Sequence, residues 1–368
     1  MDCMDEPPNF FKLLPKAELH QHLDGSVSAE FLLQQAQRDG FTLPFDSVED
    51  CLTWVRTKRE GSLENYLELF QTTLKALQTV EGLTEAVRSC AQNWVADGVR
   101  YAELRFAPHL HLEKGLTIEE VVEAVILALL WVKEKLHIPS TLILCALRHQ
   151  HRWDHLPLLW RRFRSLGLPL AIDLAGPEKG YPPEPFEELF KLAQQEGIPI
   201  TIHAGEVVGP SSIASALQCG AQRIGHGVRL IEEHQDGQML LTQQIIQRKI
   251  ALELCPSSNF QTRAWDRPET YPLKHYLARG VPVTINTDNT LISLTRLSQE
   301  WEIIWGREPS EKDFEGIIKT LLHSYVFAFN PTVSNRDWIE QHILPDLVNL
   351  CGQHTKEFAQ TYLASLYT

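Results

Sequence analysis

Paired cysteines, clustered basic residues and a membrane-length apolar run are all missing from this sequence. Its seven cysteines stand singly, at positions 3, 51, 90, 145, 219, 255 and 351. An odd count without a Cys-x-x-Cys motif excludes a disulfide framework and a cysteine-type zinc site. Positive charge is scarce as well, since 34 Lys and Arg against 47 Asp and Glu give a formal net charge of −13. Phosphate neutralisation needs clustered cations, so neither nucleic acid nor an anionic membrane is an expected partner. The longest apolar run, Val121 to Val132, contains Glu123. It is too short for a bilayer, which takes about 20 apolar residues. The first residues, MDCMDEPPNFF, are acidic and carry two prolines, which does not fit a signal peptide. Hydrophobic residues at 43% are enough for a large core. A globular, cytoplasmic protein is expected.

Eight short β-rich runs recur along the chain, with helical patterns between them. They are 16–23 (KAELHQHL), 99–107 (VRYAELRFA), 141–148 (TLILCALR), 168–176 (LPLAIDLAG), 198–206 (IPITIHAGE), 223–228 (RIGHGV), 251–259 (ALELCPSSN) and 281–289 (VPVTINTDN). Near-continuous apolar strands alternating with helices predict a parallel sheet covered on its outer face. Eight of them make an α/β (β/α)8 TIM-type barrel more economical than an open doubly wound sheet. Barrels with insertions reach this length as one unit, so residues 1–368 are expected to form a single domain. No glycine-rich phosphate loop follows the first strand, which removes dinucleotide binding.

The first interval, from Lys16 to Val99, is far longer than the others, which predicts a helical insertion over about 24–98. Its clearest pattern is Leu63, Tyr66, Leu67 and Phe70, at i, i+3, i+4 and i+7, one apolar helix face. Such a stripe ordinarily packs into a core. After a barrel strand it also suits a lid, because these loops lie on the catalytic face. Beyond Thr295, helical patterns at 297–305, 311–329, 336–350 and 355–366 are expected to close and buttress the barrel.

His20 and His22 lie two apart on the first strand, so both imidazoles share a face. Among apolar neighbours that face is the barrel interior, where close imidazoles need either hydrogen bonds or a divalent metal to use their lone pairs. The later strand ends favour the metal. His203 and Glu206 close the fifth run, His226 the sixth and Asp288 the eighth, at the C-terminal ends where barrel enzymes place their chemistry. His20, His22, His203 and Asp288 make a three-nitrogen, one-oxygen set suited to zinc. Glu206 and His226 are then left as acid–base candidates. His109, His111, His149, His151 and His155 sit in polar segments after runs two and three and read as solvated loop residues.

Seven motifs follow one another over residues 13–290: LPKAELHQHLDGS, YAELRFAPH, IDLAGPE, HAGE, RIGHG, LELCPSSN and NTDN. In these the chain resembles the adenosine deaminase family of the metal-dependent amidohydrolase superfamily. The resemblance implies one zinc per chain, held by His20, His22, His203 and Asp288. It implies Glu206 as the proton donor to N1 of adenine and His226 as the histidine beside the attacking water. His22, Asp24 and Gly176 are implied substrate contacts, and Leu63, Tyr66, Leu67 and Phe70 an apolar flap over the base. The implied reaction is hydrolytic deamination of adenosine, and of 2′-deoxyadenosine, to inosine and ammonia in purine salvage. Its partner would be a small-molecule purine nucleoside.

Two positions bear on the substrate. Asp24 is expected at the ribose end, where a carboxylate accepts from a hydroxyl and repels a phosphate, favouring a nucleoside over a nucleotide. Residue 289 is Asn where many members of the family carry a second Asp against purine N7. Asn289 reads as a retained N7 contact. It leaves open another aminopurine compound as substrate: adenine, N6-methyl-AMP or 6-aminodeoxyfutalosine.

Overall fold

Eight parallel strands hydrogen-bond to one another in chain order: β1 (Lys16–His22), β2 (Val99–Phe106), β3 (Ser140–Leu147), β4 (Leu170–Ala175), β5 (Ile200–Ala204), β6 (Arg223–His226), β7 (Ala251–Leu254) and β8 (Val283–Ile285). The computed structural model describes the backbone of residues 9–59, 63–150, 152–236 and 239–367, with their side chains except at 63–67, 234–236 and 354. The expected (β/α)8 barrel is present. Its seam closes just past β8, where Gln21 bridges Asp288. Asp288 N donates to His20 O and His22 N donates to Asp288 O, both at 2.8 Å. Barrel closure itself thus sets Asp288 beside the two histidines of β1.

Strand alternation sorts the residues between two environments. Leu104, Phe106, Ile172, Leu174, Ile202 and Leu252 are buried beneath the surrounding helices. Residues of the opposite parity meet inside the barrel, where they form a charged network. Arg105 Nη2 lies 2.8 Å from Glu253 Oε2 and its Nη1 lies 3.1 Å from Asp173 Oδ2. Arg223 joins Glu253 Oε1 at 2.7 Å and Glu103 Oε2 at 2.5 Å. Buried charge is tolerated only when paired and hydrogen-bonded, and here two guanidiniums meet three carboxylates.

The expected insertion contains helices Ala29–Asp39, Val48–Arg59, Leu63–Leu74 and Val80–Ala96. Ser28 and Thr79 cap the first and last of these by accepting from Phe31 N and Gly82 N. The side chains of Leu63, Tyr66 and Leu67 lie outside the described residues. Phe70, the remaining member of that stripe, is half-buried against the main core.

Two predicted strands end early and one predicted helix is interrupted. Pro256 has no N–H for a ladder, so β7 stops at Leu254 and helix Pro256–Gln261 begins. β8 stops at Ile285, because Glu18 accepts from both the backbone N–H (3.1 Å) and the hydroxyl (2.7 Å) of Thr287 and draws the chain off the ladder. The predicted helix 336–350 breaks into Arg336–His342 and Leu344–Cys351 around Pro345. Among the described residues no helix is long and apolar enough to cross a membrane.

Candidate active site

Two of the inward-facing histidines, His20 and His203, are oriented by carboxylates behind them. His20 Nδ1 lies 2.6 Å from Glu253 Oε2. An ionised carboxylate only accepts, so Nδ1 carries the proton and Nε2 keeps its lone pair. That Nε2 is buried with no hydrogen-bond partner among the described residues, 3.6 Å from Asp288 Oδ1. Burial first, and then the Arg105 charge, lower the His20 imidazole to about 4, which keeps it neutral. His203 Nδ1 likewise donates to Asp173, 3.1 Å from Oδ1 and 3.0 Å from Oδ2. Its Nε2 lies 3.3 Å from His22 Nε2, which in turn lies 3.4 Å from Asp288 Oδ1. Asp288 Oδ2 accepts from the Ser258 hydroxyl at 2.6 Å.

Donor atoms of His20, His203, His226 and Asp288 all lie within 4.8 Å of one another, and those of His22, Asp173 and His203 form a second such group. Three of the four sequence-predicted ligands, His20, His203 and Asp288, thus share one group with His226, whereas His22 falls outside that group and meets it through His203 and Asp288. Close packing requires glycine at 225, where a Cβ would sit 3.0 Å from His203 Cα and 3.2 Å from His20 Cε1. His226 and Asp288 both adopt φ of 61°, a left-handed backbone that non-glycine residues hold only where the surroundings impose it.

Glu206 stands just past β5. Its Oε1 accepts from the Thr262 hydroxyl at 3.0 Å and its Oε2 lies 3.7 Å from His226 Nε2. The other side of His226 is fixed by a relay. The Tyr271 hydroxyl donates to Asn259 Oδ1 at 2.7 Å, which turns Asn259 Nδ2 towards His226 Nδ1 at 3.1 Å. Nδ1 then accepts, so the proton of His226 resides on Nε2, facing Glu206.

The residues predicted as substrate contacts, Asp24, Gly176 and Asn289, lie just past the C-terminal ends of β1, β4 and β8. Asp24 is buried beyond β1, its Oδ1 without a hydrogen-bond partner among the described residues. Burial and the neighbouring Asp288 push its carboxyl up to about 6. Gly176 follows β4 directly with φ of 88°, close to His149. Asn289 is buried, and its Oδ1 packs so closely on Gly25 that a Cβ there would come within 1.8 Å of it.

One reading of the loop histidines needs correction. His111 is fully buried, its Nδ1 3.0 Å from Leu77 O, because the insertion folds over the loop after β2. His109 and His155 are half-buried with ring centroids 5.8 Å apart, whereas His149 is exposed. His151 lies outside the described residues.

The sequence reading missed Asp173, Glu253, Arg105, Glu178, Ser258 and Asn259. Asp173 and Glu253 did carry a signal, each being a lone carboxylate in an apolar strand (LAIDLA, ALEL), which implies a buried partner.

A family model described as adenosine deaminase matches residues 15–310. The chain is 40% identical over 309 residues to adenosine deaminase 1 of Streptomyces coelicolor, covering 80% of this chain and 78% of that protein. It is 37% identical over 328 residues to an adenosine deaminase of Haemophilus ducreyi, with 87% and 92% covered. Among solved structures, an adenine deaminase of Arthrobacter aurescens is similar with a TM-score of 0.78 and 28% identity, over 91% of this chain and 98% of that one.

Proposed function

The chain belongs to the adenosine deaminase family, and from that premise we propose that it hydrolyses adenosine and 2′-deoxyadenosine to inosine or deoxyinosine and ammonia, in purine salvage. The observation that carries this reading is the convergence of His20, His22, His203 and Asp288 beside the Glu206–His226 pair.

The donor set fits a single zinc ion per chain. His20 and His203 have their outer nitrogens tied to carboxylates and their inner ones turned inward, and the orphaned His20 Nε2 needs a partner. We assign the ligands as His20, His22, His203 and Asp288. His226 is left out because its Nε2 carries a proton and has no lone pair to give. Bound there, the ion supplies Lewis-acid activation of water at neutral pH.

The chain's own residues do the rest. C6 of adenine is a poor electrophile until N1 is protonated, and Glu206 is the donor for that proton. The Nε2–H of His226, on the side that faces Glu206, is the group that would orient the attacking oxygen. Attack at C6 releases the two protons of the water: one restores Glu206, and the other passes to the amino group, so that the C6–N bond breaks, ammonia leaves and C6 becomes the carbonyl of inosine. Asp24 accepts from a ribose hydroxyl, and Gly176 and Asn289 contact the base. The stripe of Leu63, Tyr66, Leu67 and Phe70 is read as its apolar cover, in a chain read as one domain. All six described cysteines are unpaired and five are buried, which supports a reducing, cytoplasmic setting.

The test is an ultraviolet assay of purified protein on adenosine, 2′-deoxyadenosine, adenine, AMP and N6-methyl-AMP. Adenosine is expected to give the highest kcat/KM of the ribosides and bases. A higher value on adenine or N6-methyl-AMP overturns the substrate assignment.

A further inference from the structure

Glu178 touches none of the converging donors, yet its carboxylate accepts from four successive backbone N–H groups. Gly205 N donates to Oε1 at 2.6 Å. Glu206, Val207 and Val208 donate to Oε2 at 3.2, 2.7 and 2.9 Å. Two carbonyls of the same turn are held as well, since Gly205 O accepts from Arg229 N at 2.9 Å and Val207 O from Arg229 Nη1 at 3.0 Å. A single partner would satisfy any one of these groups. Six bonds on four consecutive residues instead remove the backbone freedom of the turn that carries Glu206. Glu178 itself is buried, two residues beyond Gly176, so it fastens the loop after β4 to the loop after β5.

We propose that Glu178 is a positioning residue for the deamination. It holds the main chain of Glu206 so that the carboxyl keeps its contacts with Thr262 and His226, and it acts through Glu206 without touching substrate. The inference deepens the proposed function and rests on Glu206 being the proton donor. Carboxylate chemistry is needed at 178 because the four N–H groups that reach it are all donors and the Arg148 guanidinium adds positive charge beside it. A glutamine offers one acceptor oxygen, and its NH2 would be set against at least one N–H of the turn.

The test is a cycle of wild type, Glu178→Gln, Glu206→Gln and the double variant, with kcat, KM, metal content and Tm measured for each. A displacement on the order of 1 Å at a reacting group costs about 100-fold, so Glu178→Gln should lower kcat by about 10- to 100-fold. KM and metal content should stay near wild type, and Glu178→Asp should restore part of the loss. On the Glu206→Gln background the same substitution should cost little more, because losses through one shared group do not multiply. Wild-type kcat in Glu178→Gln, or fully multiplicative losses in the double variant, overturns the proposal. If Glu178→Gln does not fold, the same cycle is read with Glu178→Asp. Wild-type turnover in Glu206→Gln alone would instead refute the proton-donor assignment and remove the basis of this inference with it.

Discussion

Asp173 holds His203 and Arg105 with one carboxylate: His203 Nδ1 straddles it, 3.1 Å from Oδ1 and 3.0 Å from Oδ2, and Arg105 Nη1 lies 3.1 Å from Oδ2. Burial would raise this carboxyl, but His203 and Arg105 hold it far below the usual range. An amide cannot replace it. In Asp173→Asn, whichever way the amide turns, its NH2 meets a donor, either the imidazole N–H or the guanidinium. Losing such an outer partner typically weakens metal binding about 10- to 100-fold. Zinc affinity measured by competition with a chromophoric chelator should fall by that order in Asp173→Asn. An unchanged affinity would show that His203 orients itself.

The ligand assignment makes a sharper contrast among the histidines. His203→Ala removes an inward nitrogen and should leave the purified protein depleted of metal by elemental analysis. His109→Ala and His149→Ala should retain a full complement, since neither belongs to the converging groups. Loss of metal in the second pair, with retention in the first, would place the metal centre on the wrong side of the barrel mouth.

The chemistry of the site is legible in sequence wherever strand alternation or a strand end dictates direction. His20 and His22 share a face by parity, and His203, Glu206, His226 and Asp288 mark C-terminal strand ends. Their supports are less visible. The partner of Asp173 is Arg105, 68 positions away, and barrel closure alone brings them together. Glu178 acts by accepting from main-chain groups about one βα unit further on, and backbone N–H groups leave no mark in composition. His111 reads as solvated because HLHLEKG is polar, but what covers it is a carbonyl of the insertion, at Leu77.

Far from the site, His323 gives the fold a pH dependence. Its ring is buried between the Val283 backbone, with Nδ1 3.2 Å from Val283 N, and the Tyr362 hydroxyl, 2.7 Å from Nε2. Burial lowers the imidazole to about 4 against 6.5 for a free histidine. Between those values the unfolded chain binds a proton that the folded chain refuses. The contribution is therefore complete above about pH 6.5 and is lost as pH falls towards 4, amounting to about 2 kcal/mol between pH 7 and pH 5. His323→Gln should be less stable at pH 7 yet show a smaller drop in urea midpoint between pH 7 and pH 5. A drop equal to that of wild type would mean that other groups set the acid sensitivity.

In the proposed function Asn289 is the contact to N7 of the base. Its Oδ1 packs on Gly25 and has no hydrogen-bond partner among the described residues, which leaves Nδ2 as the atom that can donate. N7 of adenine is an acceptor and needs a donor. An amide donates at every working pH, whereas an aspartate donates only when protonated. 7-Deazaadenosine has a C–H in place of N7, so the buried amide would lose its partner. That costs about 1–3 kcal/mol, or roughly 5- to 150-fold in kcat/KM relative to adenosine. Asn289→Asp should add a decline in activity as pH rises and the new carboxyl ionises. Gly25→Ala supplies an independent check, because its methyl would displace the amide and should shrink the discrimination without removing any donor from the chain. Equal kcat/KM for adenosine and its 7-deaza analogue in the wild type would reduce Asn289 to a brace for the adjacent Asp288.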